Sequence, residues 1–301
     1  MPLIAYKEHR FQAASLELID KAQAILWEYY EQGYTLTLRQ LYYQMVARTY
    51  LPNTMRAYKR FGKLLVDARM AGMIDWHALE DRTRALEGNS HWPSPTAILK
   101  AAQRAYQIDK WANQGFRIEV WIEKDALLGV IEGTCREHDV DYFSCRGYSS
   151  VSEVWKAAQR LKGYIIARQE PVILHLSDHD PSGLDIDRDL ANRLETFLEW
   201  PIRVKRIALL RSQVDTYHLP PNPAKLTDSR IEGYIAEHGR SSWELDALDP
   251  AVINDLISME ILDLRDDLAW QEAVDVEHAH KVALADALEI ESIGTVEDWT
   301  G

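Results

Sequence analysis

Val172-Ile173-Leu174-His175-Leu176-Ser177-Asp178-His179-Asp180-Pro181-Ser182-Gly183 decides the fold class of this 301-residue chain. The first five residues are mostly apolar and read as a buried strand. The polar turn that follows puts Asp180 at an N-cap and Pro181 at a first helical position, so a helix starts there. The same strand-to-helix grammar repeats on either side. A strand at 116–122 ends in Glu123-Lys124 and leads to a helix at 126–138. A strand at 140–145 leads through Gly147 to a helix at 151–168. The strand at 172–176 leads to a helix at 184–198, and a further strand follows at 202–209. This alternation predicts a mostly parallel sheet covered by helices on both faces. Such sheets gather ligands at the carboxyl ends of their strands, where Glu123, Gly147, Asp178 and Asp180 all fall.

Two carboxylates two residues apart, with Glu123 at the mouth of another strand, are oxygen donors of the kind a hard divalent cation takes. The bland alternatives stay open at this level. Asp180 fits an N-cap equally well, and a strand commonly ends in a solvated acid such as Glu123. His175 points into the layer covering the sheet, whereas His179, between the two Asp residues, either packs or approaches a phosphate. Cys135 and Cys145 have neither metal-ligand spacing nor a disulfide framework, so both read as core residues.

The flanks are helical. Residues 11–32 place Leu16, Ile19, Ala22, Ala24, Ile25 and Trp27 on one face, and Gly33 ends that helix. Thr37 caps a second helix, 38–50, and the turn Pro52-Asn53-Thr54 introduces a third, 55–71, closed by Gly72. Residues 73–84 read as a short strand or wing. Three helices and a hairpin-like segment are the order of a winged helix-turn-helix. The expected architecture is therefore α/β plus α. Residues 1–90 form a winged-helix domain. A linker at 91–115 carries Trp92-Pro93-Ser94-Pro95 and a bridging helix at 96–111. The α/β domain spans 116–215. An acidic, mainly helical extension, 216–301, begins at Leu219-Pro220-Pro221-Asn222-Pro223 and holds amphipathic helical segments at 243–248 and 253–264.

Charge is unevenly spread. The chain carries a net charge of −13, which taken alone argues against nucleic acid. Residues 1–115, however, hold 15 Lys and Arg against 11 Asp and Glu, and residues 39–84 hold 9 against 4. The last 87 residues hold 5 against 20. A local basic patch can bind phosphates on an acidic protein. The acidic end faces away from DNA or contacts a protein partner. No run of 18 apolar residues is present, so no helix is expected to span a membrane, and the first ten residues lack a signal core. Together with the cysteine usage this points to a cytoplasmic protein.

Three pieces stand in a fixed order: Thr37-Leu38-Arg39-Gln40-Leu41-Tyr42-Tyr43, then Glu123-Lys124, then Asp178-His179-Asp180-Pro181-Ser182-Gly183. This order resembles the A subunit of type IIB DNA topoisomerases (topoisomerase VI) and the related meiotic double-strand-break proteins, over residues 35 to 265. The acidic pieces are similar to those of the Toprim domain. Gly147-Tyr148-Ser149-Ser150 sits where that domain carries a Gly-containing loop, and 242–248 resembles a Glu-rich piece of the family's C-terminal region. Glu244 and Asp246 there either support the site or begin a capped helix.

The resemblance implies that Tyr43 is the DNA-attacking nucleophile, with Tyr42 a core aromatic. Arg39, one turn before Tyr43, would point at the same phosphate. Glu123, Asp178 and Asp180 would hold Mg²⁺, with Mn²⁺ as the alternative, and Lys124 would add positive charge. The product would be a covalent 5′-phosphotyrosyl link and a free 3′-hydroxyl. It further implies a homodimer in which one chain's tyrosine meets the other's metal, cutting both strands of double-stranded DNA. Arg48, Arg56, Lys59, Arg60, Lys63 and Arg69 would contact phosphates. Only about 35 residues precede the tyrosine helix, so the part that engages an ATPase B subunit is expected to be short or missing. No Gly-rich phosphate loop is found, and the chain looks closest to stand-alone relatives of phages, plasmids and bacteria. The rivals are a Toprim nuclease using metal-activated water and an inactive DNA-binding assembly protein.

Overall fold

A computed structural model describes residues 3–79, 89, 91–146, 151–223 and 230–294, with side chains described as far as 287. The chain opens with α1 (Ala13–Glu31), α2 (Leu38–Ala47) and α3 (Met55–Met70). Ile19, Ile25, Leu26, Leu41, Met45, Phe61 and Leu65 fill the core between them. Thr37 caps α2 in a full capping box with Gln40, and Thr54 caps α3. The turn after α3 relies on Gly72, which has φ +73°, and a Cβ there would lie 2.8 Å from the Ala5 backbone nitrogen. Residues 73–79 differ from the expected wing strand. They form turns with one isolated bridge, Leu36 to Leu79. The Asp75 carboxylate accepts the His77 N–H, a local bond that favours a turn over an extended strand. Residues 80–84 of that expected wing lie outside the described residues.

Next comes α4 (Pro95–Ala105), shorter than the expected 96–111 helix. It stops because Tyr106 turns to extended backbone and the Ile108 N–H is taken by the Glu277 carboxylate. The α/β core follows: β1 (Phe116–Ile122), α5 (Leu128–Glu137), β2 (Asp141–Ser144), α6 (Val151–Ile166), β3 (Glu170–Leu176), α7 (Pro181–Leu198), β4 (Arg203–Ala208) and α8 (Arg211–Thr216). The four strands are parallel in the order β2-β1-β3-β4. One face packs Ile118, Val120, Val172 and Leu174 against α5 and the C-terminal elements, and the other packs Trp121 and Ile173 against α6 and α7. Both faces are dry, which is why β3 reads as a nearly continuous apolar run.

The remaining elements are β5 (Asn222–Pro223), α9 (Ile231–His238), β6 (Ser241–Ser242), α10 (Pro250–Leu264) and α11 (Asp267–Gly294). β5 and β6 form a small antiparallel pair. The expected amphipathic helix at 243–248 is instead a bridge residue and a 3-10 turn, Leu245–Ala247. Trp243 and His179 exchange both backbone hydrogen bonds at 2.9 Å, which holds this segment extended beside the end of β3. α10 packs on α5 and the sheet, and α11 runs along α4. The Tyr29 hydroxyl bonds the Asp249 carboxylate, tying α1 to the start of α10. Among the described residues no helix is long and apolar enough to cross a membrane.

Candidate functional site

The carboxyl ends of β1 and β3 meet the N-terminal helices along one seam. At the end of β3, Ser177 and Asp178 turn the chain sharply into α7. The turn requires glycine at 183, because a Cβ there would lie 2.2 Å from the Asp178 carbonyl oxygen. Asp180 caps α7 by accepting the Gly183 N–H at 2.7 Å, and it also accepts the Ser182 hydroxyl. Glu123 accepts the Asp178 N–H at 3.1 Å. Asp178 accepts the Leu245 N–H at 2.8 Å.

Lys124 is the electrostatic centre of the seam. Its Nζ lies 2.8 Å from Asp178, 2.6 Å from Glu244 and 2.6 Å from Asp246. Burial opposes the ammonium charge, but Asp246, Asp178 and Glu244 outweigh it and hold Lys124 well above the usual lysine range. Burial pushes the Asp178 carboxyl up to about 7; Lys124 opposes the rise and Glu123 adds to it. Arg39, reaching over from α2, bonds Glu244 and approaches Asp246 at 3.1 Å. Asp246 is wholly buried, and its Oδ1 has no hydrogen-bond partner.

Tyr43 lies one turn after Arg39 on α2. Only 5% of the residue is exposed, and it packs with the α/β core, whereas its neighbour Tyr42 packs among the N-terminal helices. The Tyr42 hydroxyl donates toward the Pro52 and Thr54 carbonyls and accepts the Thr54 N–H, as a core aromatic would. The Tyr43 hydroxyl accepts a hydrogen bond from the Asn222 amide at 3.2 Å. Burial raises its pKa and nearby Glu244 adds to the rise, while Asn222, Arg39 and Lys124 pull the other way. Tyr43, Arg39, Tyr58, Asn222 and Glu244 line a cleft of about 420 Å³. The resemblance implies that Tyr43 meets the acids of a second chain; here α2 packs on the Leu245–Ala247 turn of its own chain.

The expected metal ligands are all at this seam, and all offer the oxygen that Mg²⁺ or Mn²⁺ takes. They do not form a metal seat as arranged. Among the described residues no three His, Cys, Asp or Glu side chains converge to hold an ion. Asp180 serves as an N-cap, Glu123 receives a backbone N–H, and the cation beside Asp178 is Lys124.

The six expected DNA contacts divide. Arg56, Lys59, Arg60 and Lys63 are exposed on α3. Arg48 is used internally, forming two bonds to Glu28 at 2.8 and 2.9 Å. Arg69 donates to the Trp76 carbonyl at 2.7 Å and lies over the Trp76 ring. His175 is fully buried between Cys145 and Asp187. His179 faces Tyr234, His238 and Trp243 rather than the seam, and burial lowers its pKa to about 4. Cys135 and Cys145 are both buried and unbridged. The Gly147-Tyr148-Ser149-Ser150 loop lies outside the described residues.

Asn222 escaped the sequence reading because Pro220-Pro221-Asn222-Pro223 reads as a linker turn. Glu244 and Asp246 were read as either supporting the site or beginning a capped helix; they stand at the seam, bonded to Lys124. No family model matches this chain, and no curated protein matches it.

Proposed function

We propose that this chain is a DNA-cleaving enzyme of the topoisomerase VI A-subunit type, with Tyr43 as its nucleophile. The observation that carries the reading is the place of that phenol. It lines the wall of a cleft with Arg39 and Glu244, and the charges of Arg39 and Lys124 favour loss of its proton. The phenol gives its proton to water and its oxygen bonds to a backbone phosphorus, while the bond to the 3′ oxygen breaks and that oxygen takes a proton from water. The 3′ oxygen leaves as a hydroxyl, and the 5′ end stays on Tyr43. Arg39 and Lys124 supply fixed positive charge for the phosphate oxygens. Asn222 holds the phenol oxygen in line.

In this reading α1, α2 and α3 belong to a CAP-like winged-helix domain, and the parallel sheet is a Toprim core. Arg56, Lys59, Arg60 and Lys63 grip the duplex backbone, a homodimer cuts both strands, and the acidic C-terminal helices face a protein partner. Mg²⁺ at Glu123, Asp178 and Asp180 belongs to the reading only if those acids draw together from their present places, so the steps above rest on the chain's own groups. A nuclease reading is favoured by one observation: burial and Glu244 hold the Tyr43 proton on rather than releasing it. Cleavage of labelled duplex with Mg²⁺, comparing wild type with Tyr43→Phe, separates the two. Loss of cutting supports the tyrosine; full retention sinks it in favour of hydrolysis.

A further inference from the structure

Arg39 and Lys124 come from different elements, α2 and the end of β1, yet both bond the same Glu244 carboxylate oxygen. Two cations converging on one oxygen from two sides form an anion seat. The two acids in it differ. Asp246 is completely buried, touches both cations and cannot leave without opening the core. Glu244 keeps 25% of its side chain exposed, Arg39 keeps 42%, and both line the cleft that holds Tyr43. A phosphate entering that cleft would meet Glu244 first, and repulsion would keep it from either cation while Glu244 stays.

We propose that Glu244 is an internal stand-in for a phosphodiester, filling the seat between Arg39 and Lys124 until a nucleic-acid phosphate displaces it. Asp246 stays in place and positions the emptied pair. The ligand class is a phosphate oxyanion, and its use in cleavage rests on the reading given above. Of the three acids that touch Lys124, Glu244 is the most exposed, at 25% against 12% for Asp178 and 0% for Asp246, so it is the one placed to swing out.

The test measures binding of a fluorescent DNA duplex by anisotropy and of inorganic pyrophosphate by calorimetry, both in EDTA. Glu244→Gln keeps the shape and removes the charge. It should bind both probes about two- to fivefold more tightly, the size of one part-exposed charged contact. Arg39→Gln added to Glu244→Gln should cancel the gain. If Glu244→Gln fails to fold, Glu244→Asp, which draws the carboxylate back by one methylene, should move binding in the same direction. Unchanged or weaker binding of both probes by a folded Glu244 variant overturns the proposal, even where Lys59→Gln and Lys63→Gln weaken DNA binding as the cleavage reading expects. A gain for pyrophosphate with no DNA binding by any variant keeps the seat and removes the DNA reading.

Discussion

Replacing Lys124 with Met should cost about 3 kcal/mol of stability, and the loss should grow with pH. Lys124 makes three contacts with carboxylates at 2.6 to 2.8 Å. At an effective dielectric near 20, each is worth roughly 6 kcal/mol of gross attraction. Desolvation of the ammonium takes back several kcal/mol, and breaking a buried pair from one side typically costs about 3–5 kcal/mol net. Arg39 still serves Glu244 and Asp246 in the variant, which puts the expectation at the low end. Lys124 holds down the pKa of Asp178 and of Glu244, so without it both carboxyls would move upward in the folded state. A raised acid contributes its stability below the unfolded value, near pH 4, and loses it as pH rises through the folded value. Asp178 already sits at about 7 with Lys124 present. The deficit should therefore be small near pH 5 and full near pH 8. Urea unfolding followed by tryptophan fluorescence, at both pH values, measures it. A loss below about 1 kcal/mol, or one that does not change with pH, would refute the picture of a buried cation clamping three acids.

Two other outcomes follow from local geometry. Gly183→Ala should lower stability by about 1–3 kcal/mol, because its Cβ has to push back the Asp178 carbonyl; thermal melting checks this, and cutting of DNA should fall with it. Glu277 bonds Lys281, Lys110 and the Ile108 N–H, which together hold its carboxyl down at about 2 against the cost of burial. A depressed acid stabilises above its unfolded pKa and stops doing so as pH falls through the folded one. Glu277→Gln should therefore be less stable than wild type at pH 6, with the gap closing between about pH 4 and 2.

The α/β core was legible because both faces of the sheet are dry. A buried parallel strand writes itself as an apolar run, and Asp180-Pro181 announces the helix after it. The helices at Thr37 and Thr54 were legible from their caps. The expectation at 243–248 failed because its backbone is paired with His179, 64 residues upstream, and no local pattern encodes a partner that distant. Charge alone does not tell a solvated arginine from one bonded within the chain, so the bonds of Arg48 to Glu28 and of Arg69 to Trp76 were not legible. The acids at 123, 178 and 180 were correctly placed at strand ends. The N-cap role of Asp180 was legible too; what the spacing could not reveal is that Lys124 lies beside Asp178 and that Glu123 accepts the Asp178 N–H.

The cleavage reading is tested most directly by finding where DNA becomes attached. The protein is incubated with labelled duplex and Mg²⁺, denatured, digested with nuclease and protease, and its peptides are weighed. The expected result is a nucleotide mass on the peptide containing Tyr43, absent in Tyr43→Phe. Cut DNA with no modified peptide, or the same adduct persisting in Tyr43→Phe, would contradict it.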